Sequence, residues 1–497
     1  MSIISSREHA IFRQRNEQMR LNFLAAHGGR DYVDARLWRA PNETDASWGG
    51  IPESGIVGRK TRTANVNDAG RVASKINQYI FSKNALREGA DEAFLANCTG
   101  DGESVNEFMQ RVNLAITCGR WCWIQVDRAP LPAGETETLA NKAPVKWRLW
   151  DALDIPDWHI GENGEIEWLI VCSNIYDNSD PHKEAQSGKI HTLYKRKDGK
   201  VYITEECDLQ GIALRTDAEL PGLTRIPFVC VGRPSDKAWW FDDVENIQAQ
   251  VLNLDSQHNE TLTETVYPQL VAPSSIGNSL EVRLAEKSEN GKKVAMLLRE
   301  LAVGRKVPIM EDAEDKGITR YLVPGGDLKL LAEEAERKRR TLFDIAGLAL
   351  FNRESRQVQT AESKRFDQMD TNATLGNRAL LLQEAEHKAV ELSVMFDKSF
   401  KSWESQYNTS FDVVDVASLG EALTLAANVP DKTPTIRKII AKVQVKLLKE
   451  AAAGVVPEAD IEDAIREIDE KDFSDPEPLP NPFEGMKKLQ DGDDDED

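Results

Sequence analysis

A chain of 497 residues is too long to close around one core, so roughly two to four structural units are expected. Hydrophobic residues at 40% and charged ones at 29% are those of a globular chain, and no apolar run approaches bilayer-spanning length, which excludes a membrane-embedded class. The 83 acidic against 62 basic residues, a net charge of −21, exclude a conventional basic DNA-binding module while still suiting a wall past which nucleic acid must slide without sticking.

At the N terminus Arg7, Arg13, Arg15 and Arg20 precede no apolar core of signal-peptide length, so the chain is expected to stay in the compartment that makes it. Ser5 and Glu8 have capping-box spacing ahead of Ile11, Phe12, Met19, Phe23 and Leu24, and Gly28 with Gly29 stops that helix. From Asp31 to Asn67 the chain is rich in Gly, Pro, Asn and Arg and reads as an extended arm, long enough to drape over a neighbour. Val72, Ile76, Tyr79, Ile80 and Leu86 mark a helix, and Ser104 with Glu107 caps another through Ile116, stopped by Gly119. Residues 120–128 are a strand, opening the β-rich part from about Val145 to Gly232. There Glu165 to Tyr176 is one strand, Ile190 to Tyr194 and Val201 to Thr204 form a hairpin across Asp198 and Gly199, and Pro227 puts the last strand at an edge.

Phe241 to Tyr267 is a helix closed by Pro268, and no Lys or Arg lies between Ala238 and Glu281. Strand-like and helical pieces at Glu281 to Ala285 and Val294 to Leu301 suggest a compact insert before a second helix from Asp327, striped by Leu331, Ala335, Leu342 and Ile345. That helix carries Arg337, Lys338, Arg339 and Arg340, and its charge complements the acidic helix, so these cations are expected to pair with residues such as Asp255 and Glu260. After a polar break, Thr360 caps a helix striped by Leu375, Ala379, Leu382, Ala385, Ala389, Leu392, Phe396, Phe400 and Trp403, about 45 residues and nearly 70 Å long, with Gly376 as a bend. Three shorter helices follow, starting at Ser418, Thr433 and Pro457, and then a proline-rich acidic tail that cannot build a core.

Chemistry is conspicuous by its missing motifs. No phosphate loop, dinucleotide turn, zinc-hydrolase pair or serine elbow occurs. The six cysteines lack metal spacing and read as reduced thiols, with Cys118 and Cys122 packed in a core, while His258 reads as a packed or solvated residue and Asp493 to Glu496 as a solvated tail. Neither catalysis nor a cofactor nor a bound metal is expected. Arg353, Arg356, Gln357, Lys364 and Arg365 surround the polar break; taken alone they are helix-end surface charges, and the other reading is mobile contacts to a passing phosphate backbone.

The order of these parts, with the run Gln359, Thr360, Ala361, Glu362 and Ser363 at the head of the long helix, resembles the portal proteins of tailed bacteriophages over about Val145 to Glu470. The resemblance implies an α+β, mostly helical fold with wing, stem, clip and crown regions and a long kinked helix. It divides the chain into N-terminal helices and arm (1–144), β-rich wing (145–240), stem helix (241–268), clip (269–324), second stem helix (325–350), tunnel loop (351–360), long wing helix (361–405), helical crown (406–472) and disordered acidic tail (473–497). It further implies a ring, usually of twelve copies, at one capsid vertex of a virion assembled in the host cytoplasm. Double-stranded DNA passes through such a ring, and a terminase motor, the major capsid protein and head-tail adaptor proteins are its partners. Arg353, Arg356, Gln357, Lys364 and Arg365 are then the candidates for the channel. A structural adaptor or scaffold that encloses no DNA is the alternative from a different class, and an enzyme with a dispersed site is a third.

Overall fold

The computed structural model describes residues 4–41, 43–51, 56–128, 144–177, 186–207, 212–266, 269–273, 309–311, 320–322, 327–346, 361–409 and 411, with 438–442, 445, 464–468 and 470 beyond them. Helix α1 (Ala10–His27) is capped by His9, whose Nδ1 accepts from the Ile11 N–H at 3.2 Å. The expected Ser5 and Glu8 box is not used: Ser5 lies in a separate 3-10 turn, and Glu8 instead faces Arg13. Gly28 ends α1 at a φ of 70°, where a Cβ would fall 2.7 Å from the Asn67 amide nitrogen.

The stretch expected to be an extended arm carries its own elements and folds back on its own chain. It holds α2 (Gly29–Arg36), α3 (Asp45–Gly49), the strands β1 (Gly50–Ile51) and β2 (Ile56–Val57), and α4 (Arg59–Arg62). Helix α5 (Asp68–Ile80) starts at Asn67, whose side chain accepts from the Gly70 N–H at 2.7 Å. Leu86, expected to extend that helix, belongs to β3 (Leu86–Glu88). After α6 (Glu92–Ala96), α7 (Val105–Gly119) opens on the expected reciprocal Ser104 and Glu107 capping box.

The strands that follow are β4 (Trp121–Arg128), β5 (Val145–Asp151), β6 (Asp157–Ile160), β7 (Ile166–Asp177), β8 (Gln186–Lys197), β9 (Lys200–Cys207), β10 (Ile212–Leu220) and β11 (Phe228–Gly232). Strands β6 to β10 form an antiparallel meander in chain order, and β4 lies between β11 and β5 in a second sheet. The β8–β9 turn is Asp198 and Gly199, both at positive φ, which is the twist a two-residue hairpin needs. Pro227 precedes β11 at a sheet edge, where its missing N–H costs nothing, and its carbonyl accepts from Val126.

Strand β4 divides two cores. Trp121 and Trp123 face a cluster with Trp150, Trp158, Phe12 and Met19, while Cys122, Ile124 and Val126 face the helical core. Alternation along a strand produces the split, and burial of both faces is why the strand shows no polar side.

Helix α8 (Trp240–Val266) leads to β12 (Gln269–Pro273), which pairs with β13 (Ile309–Glu311) and β14 (Arg320–Leu322). Helix α9 (Leu328–Ile345) then packs along α8, with Ala335 and Leu342 buried. The expected pieces at 281–285 and 294–301 lie outside the described residues, as does the polar break. Helix α10 (Ala361–Phe396) is 36 residues long, about 54 Å, and not the 45 expected. Its stripe from Leu375 to Leu392 is buried as expected, but Phe400 and Trp403 fall after its end, and β15 (Glu404–Gln406) returns to pair with β3.

The reason is a buried acid, Glu386, which faces the returning segment. Arg87 binds it through two nitrogens at 2.7 and 3.0 Å, and the Trp403 indole and Tyr407 hydroxyl donate to it at 2.9 and 2.6 Å. A straight continuation of α10 would carry Trp403 and Tyr407 away and take two hydrogen bonds from a buried carboxylate that would keep only Arg87. Burial by itself would lower the Arg87 guanidinium, and the Glu386 carboxylate overrides it and holds it above its ordinary value.

Residues 1–411 form one compact unit and 412–497 another, in which the described stretches 438–442 and 464–468 are helical. The rest of the expected helical crown and the whole acidic tail lie outside the described residues.

Burial pushes the Asp154 carboxyl up to about 6, and the nearby Asp151 charge adds to it. The folded state thus holds that proton more tightly than the unfolded chain, and the stability it gives is complete below the ordinary carboxylate range and lost as pH rises through about 6. Asp154→Asn keeps an oxygen for the Asp151 N–H that Asp154 accepts at 3.0 Å, so thermal unfolding should match the wild type near pH 3.5 and occur at higher temperature above pH 7. Equal melting temperatures at both pH values would refute the assignment.

Candidate functional site

Helix α8 carries no Lys or Arg, and while its Asp243 is exposed, four of its other acids are held by partners within the chain. Asp242, in its first turn, accepts from one Arg15 nitrogen with both oxygens at 2.7 and 2.8 Å. It also takes the Asn22 amide at 2.9 Å and the Trp239 N–H at 2.7 Å, so one carboxylate satisfies the helix start and anchors α1. Three residues on, fully buried Glu245 receives Arg36 Nη2 at 3.0 Å, Gln18 at 3.2 Å and the Tyr32 hydroxyl at 3.3 Å. Arg36 Nε lies 2.7 Å from Glu245 too, but at an angle that makes it a charge contact and not a directed bond. Burial pushes the Glu245 carboxyl up against the pull of Arg36, and it pushes the Tyr32 phenol far up as well.

The same face continues for four more turns. Gln248 accepts from the Ala69 N–H at 3.1 Å and donates to the Val66 carbonyl at 2.7 Å. Asn253 accepts from the Trp38 N–H at 2.7 Å and donates to the Arg36 carbonyl at 3.1 Å. Ser256 accepts from Arg59 at 3.1 Å, and Glu260 pairs with Arg62 at 2.9 Å. Steps of three to five residues keep these groups on one stripe. The stretch from α2 to α4 lies along that stripe, polar group by polar group, which is why it is not an extended arm. Arg59 holds the stretch together: its guanidinium also binds both Glu43 oxygens, at 2.9 and 3.0 Å, and lies over the Trp48 ring.

Helix α9 meets α8 through one of the four consecutive cations. Arg339 binds Asp255, and its Nε reaches Asp68 of α5 at 3.2 Å, so a single side chain joins three helices. Burial pushes the Asp255 carboxyl up, Arg339 opposing and Asp68 adding. Arg337 and Lys338 turn to Glu334 of their own helix, at 2.6 and 4.0 Å, and Arg340 is exposed. Consecutive residues point about 100° apart around a helix, so four in a row cannot all face one neighbour. Glu260, expected as a partner for that run, is bonded to Arg62. Arg353, Arg356 and Gln357 lie outside the described residues, and of Lys364 and Arg365 only the helical backbone of α10 is described.

Sequence reasoning missed the clamp of Arg15, Tyr32, Arg36, Arg59 and Arg62. A signal was present: arginines crowd the stretch before Asn67, and α8 has acids and amides with no cation of its own. Cys118 and Cys122 are both fully buried in the helical core, with burial pushing both thiols up.

Arg36→Met should strand the Glu245 charge and lower stability to denaturant by on the order of 3 kcal/mol, with part of the loss recovered by adding Glu245→Gln. A double variant whose loss equals the sum of those of Arg36→Met and Glu245→Gln alone would show that the two groups are not coupled.

No family model matches the chain, and no curated protein does. Among solved structures it is similar to a chain in the virion of a native gene transfer agent particle, at 10% identity and a TM-score of 0.39, over 85% of this chain and 98% of that one. It is also similar to a chain in the neck of an empty gene transfer agent particle, at 10% identity and a TM-score of 0.32, over 87% of this chain and 97% of that one. At those scores neither likeness places a residue or decides a role.

Proposed function

We propose that this chain is a structural subunit of a phage-like virion at the head-tail connector, and that its role there is that of a portal protein. Copies form a ring at one capsid vertex, DNA passes through the centre during packaging and ejection, and the ring carries the packaging motor and the tail. The observation that carries this reading is the succession of parts: a β-rich body, α8, a small sheet of β12, β13 and β14, α9 returning along α8, then the 36-residue α10. Apolar side chains on these three helices support neighbours in the same way, for Leu262, Val266, Leu330, Ile345 and Leu380 are all exposed in the single chain. The reading assigns the chain no catalysis, so ATP hydrolysis belongs to a separate motor.

Twelve such chains would carry about −250 charges, which favours a channel that does not hold DNA tightly. Arg353 and Arg356 are the cations assigned to the channel, and replacing both by Glu should impair packaging and retention of DNA while leaving assembly intact. Unchanged packaging would remove them from the channel. Electron-microscope images of the purified chain should hold closed rings with a central hole, and Leu262→Glu with Leu330→Glu should shift the population toward single copies. A chain that stays a folded single copy even with capsid components present would end the reading, whereas assembly without a hole would favour the adaptor.

A further inference from the structure

The stretch that lies along α8 is bound to it unevenly. At one end α2 and its cap bury Tyr32, Val33 and Leu37, and at the other Gln248 donates to the Asn65 side chain and the Val66 carbonyl, at 2.8 and 2.7 Å, just before α5. Between those anchors, over the described residues 38–41, 43–51 and 56–64, no described apolar side chain is buried: Trp38 and Val57 are exposed and Trp48 is half-buried. Polar contacts hold this part to α8. The Trp38 N–H donates to Asn253 at 2.7 Å, Arg59 donates to Ser256 at 3.1 Å, the Thr63 and Ser256 hydroxyls share a bond of 2.8 Å, and Arg62 pairs with Glu260 at 2.9 Å. Two exposed contacts to α2 add to them, Lys60 to Asp34 at 3.2 Å and Arg30 to the Thr61 carbonyl at 3.4 Å.

Within itself the same part is held more firmly. The Arg59 and Glu43 side chains, only 7% and 12% exposed, form its inner ion pair, and Arg59 also donates to the Trp38 carbonyl. Arg39 binds Asp45 at 2.6 Å and the Glu43 carbonyl at 2.8 Å. All of these partners would travel together. Sliding along α8 would strand a charge against the wrong neighbour, but lifting away lets water reach both sides. Each contact to α8 then costs only the small net worth of a hydrogen bond or of a partly exposed ion pair. Segments with few buried apolar contacts open at free energies well below that of global unfolding.

We propose that this part is a releasable strap: it lifts from α8 as one piece, turning at Leu37 and Asn65, while the rest of the body stays folded. The lifted state bares Asn253, Ser256 and Glu260 of α8, and ionic strength sets how often it forms. Asn67 keeps the opening from spreading, because its side chain accepts from the Gly70 N–H at 2.7 Å and donates to the Ala26 carbonyl at 3.0 Å. The strap is a property of the single chain and holds whether or not copies form a ring.

Hydrogen exchange of the full unassembled chain, read by mass spectrometry, compares strap peptides with those of α7, most of whose residues are buried. Strap amides that are bonded in the closed state, those of Trp38, Trp48, Arg62 and Thr63, should exchange at least about a hundredfold faster than α7. Raising salt from roughly 0.05 to 0.5 M should speed the strap severalfold, by screening Arg62 from Glu260 and Lys60 from Asp34, and leave α7 unchanged. Glu260→Gln, which keeps an acceptor and loses the charge, should speed the strap by about two- to fivefold, again without moving α7. Strap amides as slow as those of α7 would overturn the proposal. So would strap rates that ignore both salt and Glu260→Gln, because the hold would then lie elsewhere. Strap and α7 speeding up together would make the opening global, and would overturn it as well.

Discussion

The body of this molecule depends on neutralising one helix. Helix α8 runs for 27 residues with no Lys or Arg of its own, and four of its six acids, at 242, 245, 255 and 260, are paired within the described residues. Each of those acids meets an arginine from a different element: Arg15 of α1, Arg36 of α2, Arg339 of α9 and Arg62 of α4. Buried ion pairs add little net stability over apolar packing, but a wrong arrangement leaves a charge without water or partner, so they penalise alternatives strongly. The consequence is register. Neither α1, the stretch from α2 to α4, nor α9 can slide along α8 without stranding a carboxylate.

That constraint also explains which features were legible in the sequence. Elements set by local chemistry were readable: the Ser104 and Glu107 box, the Asp198 and Gly199 hairpin, the edge strand after Pro227, and the start of α9 at Asp327. Features set by partners far along the chain were not. Residues 31–67 contain the Gly, Pro and Asn of a loop, and their helices and hairpin exist because Asn253, Ser256 and Glu260, about two hundred residues on, bind them. Helix α10 shows the same effect at its end: Phe400 and Trp403 keep the helical spacing in sequence, yet the pull of Glu386 on Trp403 and Tyr407 turns the chain back. A period in sequence records which side chains are buried, and here two different backbone shapes bury the same ones.

Of the site residues, the pairing across α8 and α9 was legible as a charge complement but not as a set of partners. Facing is decided by the angle between consecutive helical residues, and it brings Arg339 to Asp255 while Arg337 and Lys338 stay with Glu334. The arginine clamp was legible only as a surplus in one segment and a deficit in another.

The two ends of α8 obey different physics. Its first half is held by hydrogen-bonded charges on one side and by Phe241, Val244, Val251 and Leu252 on the other, all fully or nearly fully buried. Toward its last turns, Leu262 and Val266 stand exposed, and on α9, Leu330, two residues into that helix, is exposed as well. In the ring proposed for this chain, that apolar surface at the end of the α8 and α9 pair is where a neighbouring copy would pack. The interior charges fix how the chain is built, and under that proposal the apolar ends would make contacts that cost no desolvation of charge.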